Sequence, residues 1–245
     1  MKPEQILNDP KRIIVALDVA TADDAYRLVD QLNPEQCRVK VGKQLFTSCG
    51  PELVRSLSKR GFEVFLDLKF HDIPNTVAGA VKAAADLGVW MLNVHASGGR
   101  AMLEAAAEAV ATRGREAPLL IGVTVLTSLS REDLAEVGID STPEQQVRRL
   151  ALLSAACGLD GVVCSAAETA MLREIVAPGF CLVTPGIRRP EDAVGDQKRV
   201  VGPAQAIAAG SSYLVVGRPI NQAPSPQDSL IAFNQAVSGV LANVD

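Results

Sequence analysis

A closed (β/α)8 barrel is the fold class this sequence predicts, and three observations carry the prediction. Eight short apolar runs alternate with eight helix-like stretches, which is the pattern of parallel strands joined by crossover helices. The runs are nearly continuous in Val, Ile and Leu, as parallel strands covered on both faces require. The chain has 245 residues, close to the ~250 of one such barrel. The open doubly wound sheet is the alternative, weakened because no G-x-G-x-x-G opens a helix.

The units follow in order. The first pairs a predicted strand at Ile13–Val19 with a helix at Ala22–Leu32, and the second pairs Arg38–Gly42 with Pro51–Arg60. Phe62–Phe70 leads into Pro74–Leu87, and Val89–Ala96 into Arg100–Thr112. Leu119–Leu126 precedes Pro143–Cys157, and Gly161–Ser165 precedes Ala167–Val176. Phe180–Thr184 is followed by Pro203–Ala209, and Tyr213–Gly217 by a last helix at about Asp228–Leu241. Pro51, Pro74, Pro143 and Pro203 suit first-turn positions, where the missing N–H is no loss. Gly61, Gly88, Gly158 and Gly210 suit the position just past a helix. No linker, repeat or low-complexity tract divides the chain, so residues 1–245 are expected to form one domain. The longest polar stretch, Arg188–Lys198, reads RRPEDAVGDQK and has the length of a lid or a solvated loop.

Composition narrows the function classes. A net charge of -4 lacks the basic footprint of a nucleic-acid binder. Nine aromatics (one Trp, two Tyr, six Phe) spread over the chain offer no stacking platform for single strands. The five cysteines are odd in number and form no C-x-x-C, which fits reduced thiols in a cytoplasmic protein. No signal peptide and no run of ~18 apolar residues is visible, so no membrane span is expected.

The informative segment is FEVFLDLKFHDIPNT, Phe62–Thr76. Strand side chains alternate faces, so Asp67 and Lys69 share one face with Phe65 and His71, while Leu66, Leu68 and Phe70 take the other. Both charges fall near the C-terminal end of the third strand, where barrels of this kind build their active sites. Asp18 ends the first strand, and Lys40 sits between two valines of the second. Burying unpaired ions costs several kcal/mol. Four charges of alternating sign, expected at one level of three adjacent strands, must therefore pair. Such a network could merely fix strand register. It could equally hold an ammonium in its charged form beside carboxylates, ready to give a proton to a basic carbon, with a carboxylate set against an anionic group of the substrate. Loss of CO2 followed by protonation of the carbanion fits that chemistry.

DLKFHDIPNT, Asp67 to Thr76, resembles the signature of the orotidine 5'-phosphate decarboxylase family. Further matches are ALD at Ala16–Asp18, KVGK at Lys40–Lys43, NVHASGG at Asn93–Gly99, TVLTS at Thr124–Ser128, TPGIR at Thr184–Arg188 and VGRPI at Val216–Ile220. The resemblance spans almost the whole chain. It implies a cofactor-free, metal-free lyase that converts orotidine 5'-phosphate to UMP. It implies Lys69 as proton donor to C6, Asp67 beside the substrate carboxylate, and Lys40 and Asp18 on the ribose. It further implies a homodimer, with Asp72, Ile73 and Thr76 reaching into the neighbouring subunit's site. Thr127 would touch the pyrimidine, and Arg188, Gln197, Gly217 and Arg218 the phosphate, with Gln197 on a closing loop. The phosphate assignment has physical support of its own, since barrels often hold phosphate with the loops after strands seven and eight. Gly186 and Gly217 would let backbone N–H groups approach the anion, and an arginine can add bidentate bonds.

Other features weigh less. His71 and His95 lack metal-ligand spacing and are expected to support the network, His71 by a hydrogen bond. Trp90 is expected to pack against helices. The SGG after His95 reads as a helix-entry turn. The nearest enzymatic alternative is a magnesium-dependent sugar-phosphate decarboxylase or aldolase-like relative sharing D-x-K-x-x-D, against which HDIPNT, Thr127 and Gln197 speak. A non-catalytic phosphate-ligand sensor would need the anion loops but not a buried Lys69.

Overall fold

The computed structural model describes residues 9–190, 192 and 201–241. Eight parallel strands close on themselves: β1 (Ile13–Ala16), β2 (Arg38–Gly42), β3 (Val64–Phe70), β4 (Met91–His95), β5 (Leu119–Val123), β6 (Gly161–Val163), β7 (Cys181–Pro185) and β8 (Tyr213–Val216). Neighbours in sequence are neighbours in the barrel, and β8 returns to pair with β1 through Val15 and Val216. The expected barrel is thus the observed one. The open sheet is excluded by that closing pair.

The expected helices are present at Ala22–Val29, Pro51–Lys59, Pro74–Ala85, Arg100–Ala111, Pro143–Ala156, Thr169–Arg173, Pro203–Ala208 and Pro226–Leu241. Each of Pro51, Pro74, Pro143 and Pro203 lies in a first turn. Gly61, Gly88, Gly158 and Gly210 all take positive φ, the geometry that ends a helix. Three short helices escape the sequence reading: Lys43–Cys49, Arg131–Glu136 and Arg218–Asn221. The second carried a legible signal, since Ser130 and Asp133 form a reciprocal capping box of the kind S-x-x-E announces. Among the described residues, no helix is long and apolar enough to cross a membrane.

The apolar runs are longer than the ladders. β1 ends at Ala16, yet the apolar sequence continues to Val19. Leu17 joins the outer core while Asp18 leaves the ladder at the mouth. The core has two main parts. Inside the barrel, Ile14, Phe65, Met91, Ile121, Val183, Tyr213 and Val215 pack together. Between strands and helices lie the opposite faces, including Val15, Val39, Val41, Leu66 and Leu92. The alternation inferred for β3 holds here, with Phe65 inside and Leu66 outside.

At the N-terminal end of the strands, charge closes the floor. Arg38 bridges Asp9 at 2.8 Å and Glu63 at 3.0 Å. The Tyr213 hydroxyl donates to Asp9 at 2.8 Å. The Arg38 guanidinium lies 4.1 Å from the Trp90 ring centre, and Trp90 meets Tyr213 edge-on at 5.0 Å. Trp90 therefore packs on the inner core rather than against helices as expected, because it lies ahead of the regular pleat of β4 and meets the Arg38 guanidinium and the Tyr213 ring at the floor.

Removing one member of a buried ion pair leaves the other uncompensated and costs about 3–5 kcal/mol. Arg38→Met should therefore lower the urea-unfolding free energy by about that much, and a loss under about 1 kcal/mol would contradict this account of the floor.

Candidate active site

At the opposite end, β1, β2 and β3 bring four charges into a row. Lys40 Nζ lies 3.2 Å from Asp18 Oδ1 and 3.3 Å from Asp67 Oδ2. Lys69 Nζ lies 2.5 Å from Asp67 Oδ1. The signs alternate along Asp18–Lys40–Asp67–Lys69, so each interior member faces an opposite charge. The four were expected at one level, but the register corrects this. Lys40 lies opposite Phe65, and Asp67 opposite Gly42. Lys40 thus starts one inward-facing position deeper, and its four-carbon stem climbs to the carboxylates.

Burial pushes the Asp67 carboxyl up, but Lys40, Lys69 and the hydrogen bonds from Lys69 and Asn93 outweigh it and hold the carboxyl below its ordinary value. Asp67 is therefore an anion at neutral pH although only 9% exposed.

Lys69 reaches its place by leaving regular strand geometry. The β3–β4 register shifts between Leu66 and Phe70. Four residues of β3 advance while two of β4 do, from Leu92 to Val94. Inside this bulge Lys69 has φ +53°, the single positive φ outside glycine among the described residues. For a residue with a side chain this costs about 1–3 kcal/mol and clusters at functional sites. Asn93, fully buried on β4, meets the bulge from across the ladder. Its Oδ1 accepts from the Lys69 N–H at 2.8 Å, and its Nδ2 donates to Asp67 Oδ1 at 2.7 Å. Sequence reasoning gave Asn93 no role. The available signal was a lone amide at an inward position of the apolar strand MLNVH.

Two cavities meet at the row and share Lys40, Asp67 and Lys69. One, of about 200 Å3, is floored by Phe65, Val123, Val163 and Val215 and rimmed by Thr127 and Leu126. The other, of about 230 Å3, runs past Asp18, Gly42 and Lys43. The charges therefore face an apolar recess on one side and a polar one on the other. A larger groove of about 470 Å3 lies outside the barrel, among Phe46, Leu68, Phe70 and Ala84.

The loops after β7 and β8 flank this mouth. Gly186 has φ +79°, open to glycine at little cost. Arg188 follows it, buried, with its N–H bonded to the Val201 carbonyl at 3.2 Å. Gly217 caps the Arg218–Asn221 helix. A Cβ built on Gly217 would lie 3.5 Å from Asp18 Oδ2, so the β8 loop abuts the charged row. Arg218 is exposed. Gln197, and with it most of the 188–198 stretch, lies outside the described residues.

Asp72, Ile73 and Thr76 are not drawn into the row of their own chain. All three are exposed, Ile73 to 67%. The Asp72 carboxylate accepts only from the Ile73 N–H, at 2.7 Å, among the described contacts. Within one chain, the alternating array therefore stops at Lys69. The expected hydrogen bond from His71 is not among the described contacts either. His71 packs its ring against His95, centres 5.4 Å apart.

The family profile for "Orotidine 5'-phosphate decarboxylase / HUMPS family" matches residues 11–233. An orotidine 5'-phosphate decarboxylase of Chromobacterium violaceum is 61% identical over 226 residues, covering 92% of this chain and 91% of that one. One from Aliivibrio fischeri strain MJ11 is 56% identical over 231 residues, covering 94% and 99%. Among solved structures, the orotidine 5'-phosphate decarboxylase of Lactobacillus acidophilus superposes with a TM-score of 0.84 at 37% identity, over 93% of this chain and 99% of that one. An uncharacterized conserved protein from Geobacillus kaustophilus superposes with a TM-score of 0.81 at 38% identity, over 92% and 99%.

Burial, then His71, Lys43 and Lys69, push His95 down from 6.5 to about 4, against a raising pull from Asp67. Its imidazole is therefore neutral at pH 7. Between those two values the unfolded chain binds the proton and the folded one does not, so this group favours folding less as pH falls from about 6.5 towards about 4. An NMR titration should find the His95 ring signals flat between pH 6 and 8, with the midpoint near 4; an ordinary midpoint of 6.5 would contradict the site's electrostatics.

Proposed function

This chain belongs to the orotidine 5'-phosphate decarboxylase / HUMPS family, and we propose that it converts orotidine 5'-phosphate to UMP and CO2 in pyrimidine biosynthesis, without a cofactor. One observation carries the reading: an ammonium, Lys69, paired to an ionised carboxylate at the barrel mouth beside an apolar recess. The two curated relatives named above, at 61% and 56% identity, both bear the decarboxylase name rather than that of the other family branch.

The chemistry balances within the residues at hand. The bond between C6 and the carboxylate carbon breaks, its electron pair stays on C6, and CO2 departs. Lys69 Nζ then gives a proton to C6, is left as a neutral amine, and regains a proton from solvent. No electron enters or leaves, so the overall step calls for no redox partner. Asp67, held as an anion, is set beside the departing carboxylate. Its repulsion of the substrate anion and the Lys69 charge's attraction for the developing carbanion both lower the barrier.

Lys40 and Asp18 hold the ribose, and Thr127 contacts the pyrimidine over the apolar floor. The backbone at Gly217, with Arg188, Arg218 and Gln197, takes the phosphate. That group does not react, but its binding energy organises the site around the group that does. Asp72, Ile73 and Thr76, exposed at the rim, complete the site of a second copy, so the working form is a homodimer with shared sites. Five free cysteines suit the reducing cytoplasm as its location.

An ultraviolet assay with orotidine 5'-phosphate should show turnover unchanged by EDTA and reduced at least about a thousandfold in Lys69→Ala. Full-speed turnover by that variant would end the proposal. Arg218→Ala should lower kcat/KM by about a hundredfold or more, as loss of a charge-assisted phosphate contact does. For the dimer, Lys69→Ala and Asp72→Ala proteins should each be inactive alone yet regain turnover when mixed, because the hybrid has one intact site. Two inactive proteins that stay inactive after exchanging subunits would contradict sharing.

A further inference from the structure

We propose that Asn93 is a positioning residue that holds Lys69 in its left-handed backbone and aims Asp67 at the same time, so that the geometry of the proton donor depends on an amide that never touches the substrate. The inference rests on the reading of Lys69 as that donor.

A lysine at φ +53° is in a conformation that L-residues leave unless the surroundings hold them there. The bulge also takes the Lys69 N–H out of the regular β3–β4 ladder, since the register skips from Leu66–Leu92 to Phe70–Val94. That N–H must find another acceptor. Asn93 Oδ1 is the acceptor, at 2.8 Å. The orientation of the amide is fixed by chemistry: the Lys69 N–H can only donate and the ionised Asp67 can only accept. Oδ1 therefore faces the first and Nδ2 the second, at 2.7 Å.

The same carboxylate oxygen, Asp67 Oδ1, also receives Lys69 Nζ at 2.5 Å. Asn93, Asp67 and Lys69 thus close a ring that runs from the Lys69 backbone through the amide and the carboxylate to the Lys69 ammonium. Asn93 holds the backbone end of the lysine directly and its ammonium end through Asp67. Asn93 is 0% exposed and does not line either cavity at the charged row. It can act on the reaction only through its two partners. A shorter or apolar side chain at this position would free the backbone of Lys69 and one lone pair of Asp67 together.

The test uses the full-length protein and two substitutions, Asn93→Leu, which keeps most of the volume, and Asn93→Ala. Each is checked for folding by its Tm, then assayed for kcat with orotidine 5'-phosphate and for UMP affinity. The expected result is a kcat lower by about a hundredfold or more, as a misplacement near 1 Å produces, with the Kd for UMP within about threefold of the native value. A kcat within about threefold of native in either folded variant overturns the proposal, and so does a parallel loss of kcat and UMP affinity.

If neither variant folds, native-state hydrogen exchange on the unaltered protein decides. The Lys69 amide should be protected by at least about a thousandfold relative to an unstructured peptide. Exchange at the rate of an open loop overturns the proposal. Lys69→Ala keeps the two readings apart: its full activity sinks the proton-donor reading, whereas its inactivity beside active Asn93 variants sinks this one alone.

Discussion

The arrangement at the barrel mouth depends on one buried carboxylate. Asp67 carries a negative charge where burial alone would neutralise it, and it does so because Lys40, Lys69 and Asn93 approach it from β2, β3 and β4. Remove that charge and each neighbour loses its reason to be there. Lys40 would have climbed past Phe65 to reach only the exposed Asp18. Lys69 would hold a left-handed backbone with no partner for its ammonium. The strand bulge, the inward amide and the deep lysine are all consequences of placing one anion inside a ring of parallel strands.

The two ends of the barrel use charge in different ways. At the floor, buried Arg38, Asp9 and Tyr213 pair with one another beside the Trp90 ring. That network closes the interior at the end away from the charged row. At the mouth, the row opens onto two recesses and ends on a lysine that, among the described residues, pairs with no carboxylate beyond Asp67. An alternating array that stops on a cation leaves room for an anion from elsewhere, a substrate or the exposed Asp72 of a second copy. The same fold thus separates what holds it shut from what does chemistry, as the two faces of such barrels commonly do.

Much of this was legible in the sequence. Alternation within FLDLKF put Asp67 and Lys69 on one face, and both side chains do meet there. The route differed from the one inferred, because Lys69 arrives through a bulge and not through regular pleating. A period of two cannot foresee a register shift, which is set by what the neighbouring strand offers. Asn93 offered it, and a single amide among apolar residues gives no hint of its partners until the strands are paired. The level of Lys40 was misjudged for a related reason: sequence fixes which face a side chain takes, but the offset between strands comes only from the ladder. Trp90 was misplaced because apolar character does not say whether a strand-end residue turns to the floor or the helices. The roles of Asp72, Ile73 and Thr76 came from resemblance alone, and what one chain adds is their exposure.

A crystal structure of the protein with UMP bound tests the central claim most directly. The account predicts Lys69 Nζ within about 3–3.5 Å of C6, the span of a near-attack geometry, with its bond to Asp67 retained and the pyrimidine over the apolar floor. A nucleotide bound with C6 out of reach of that ammonium, or with Asp67 turned away from both lysines, would contradict it.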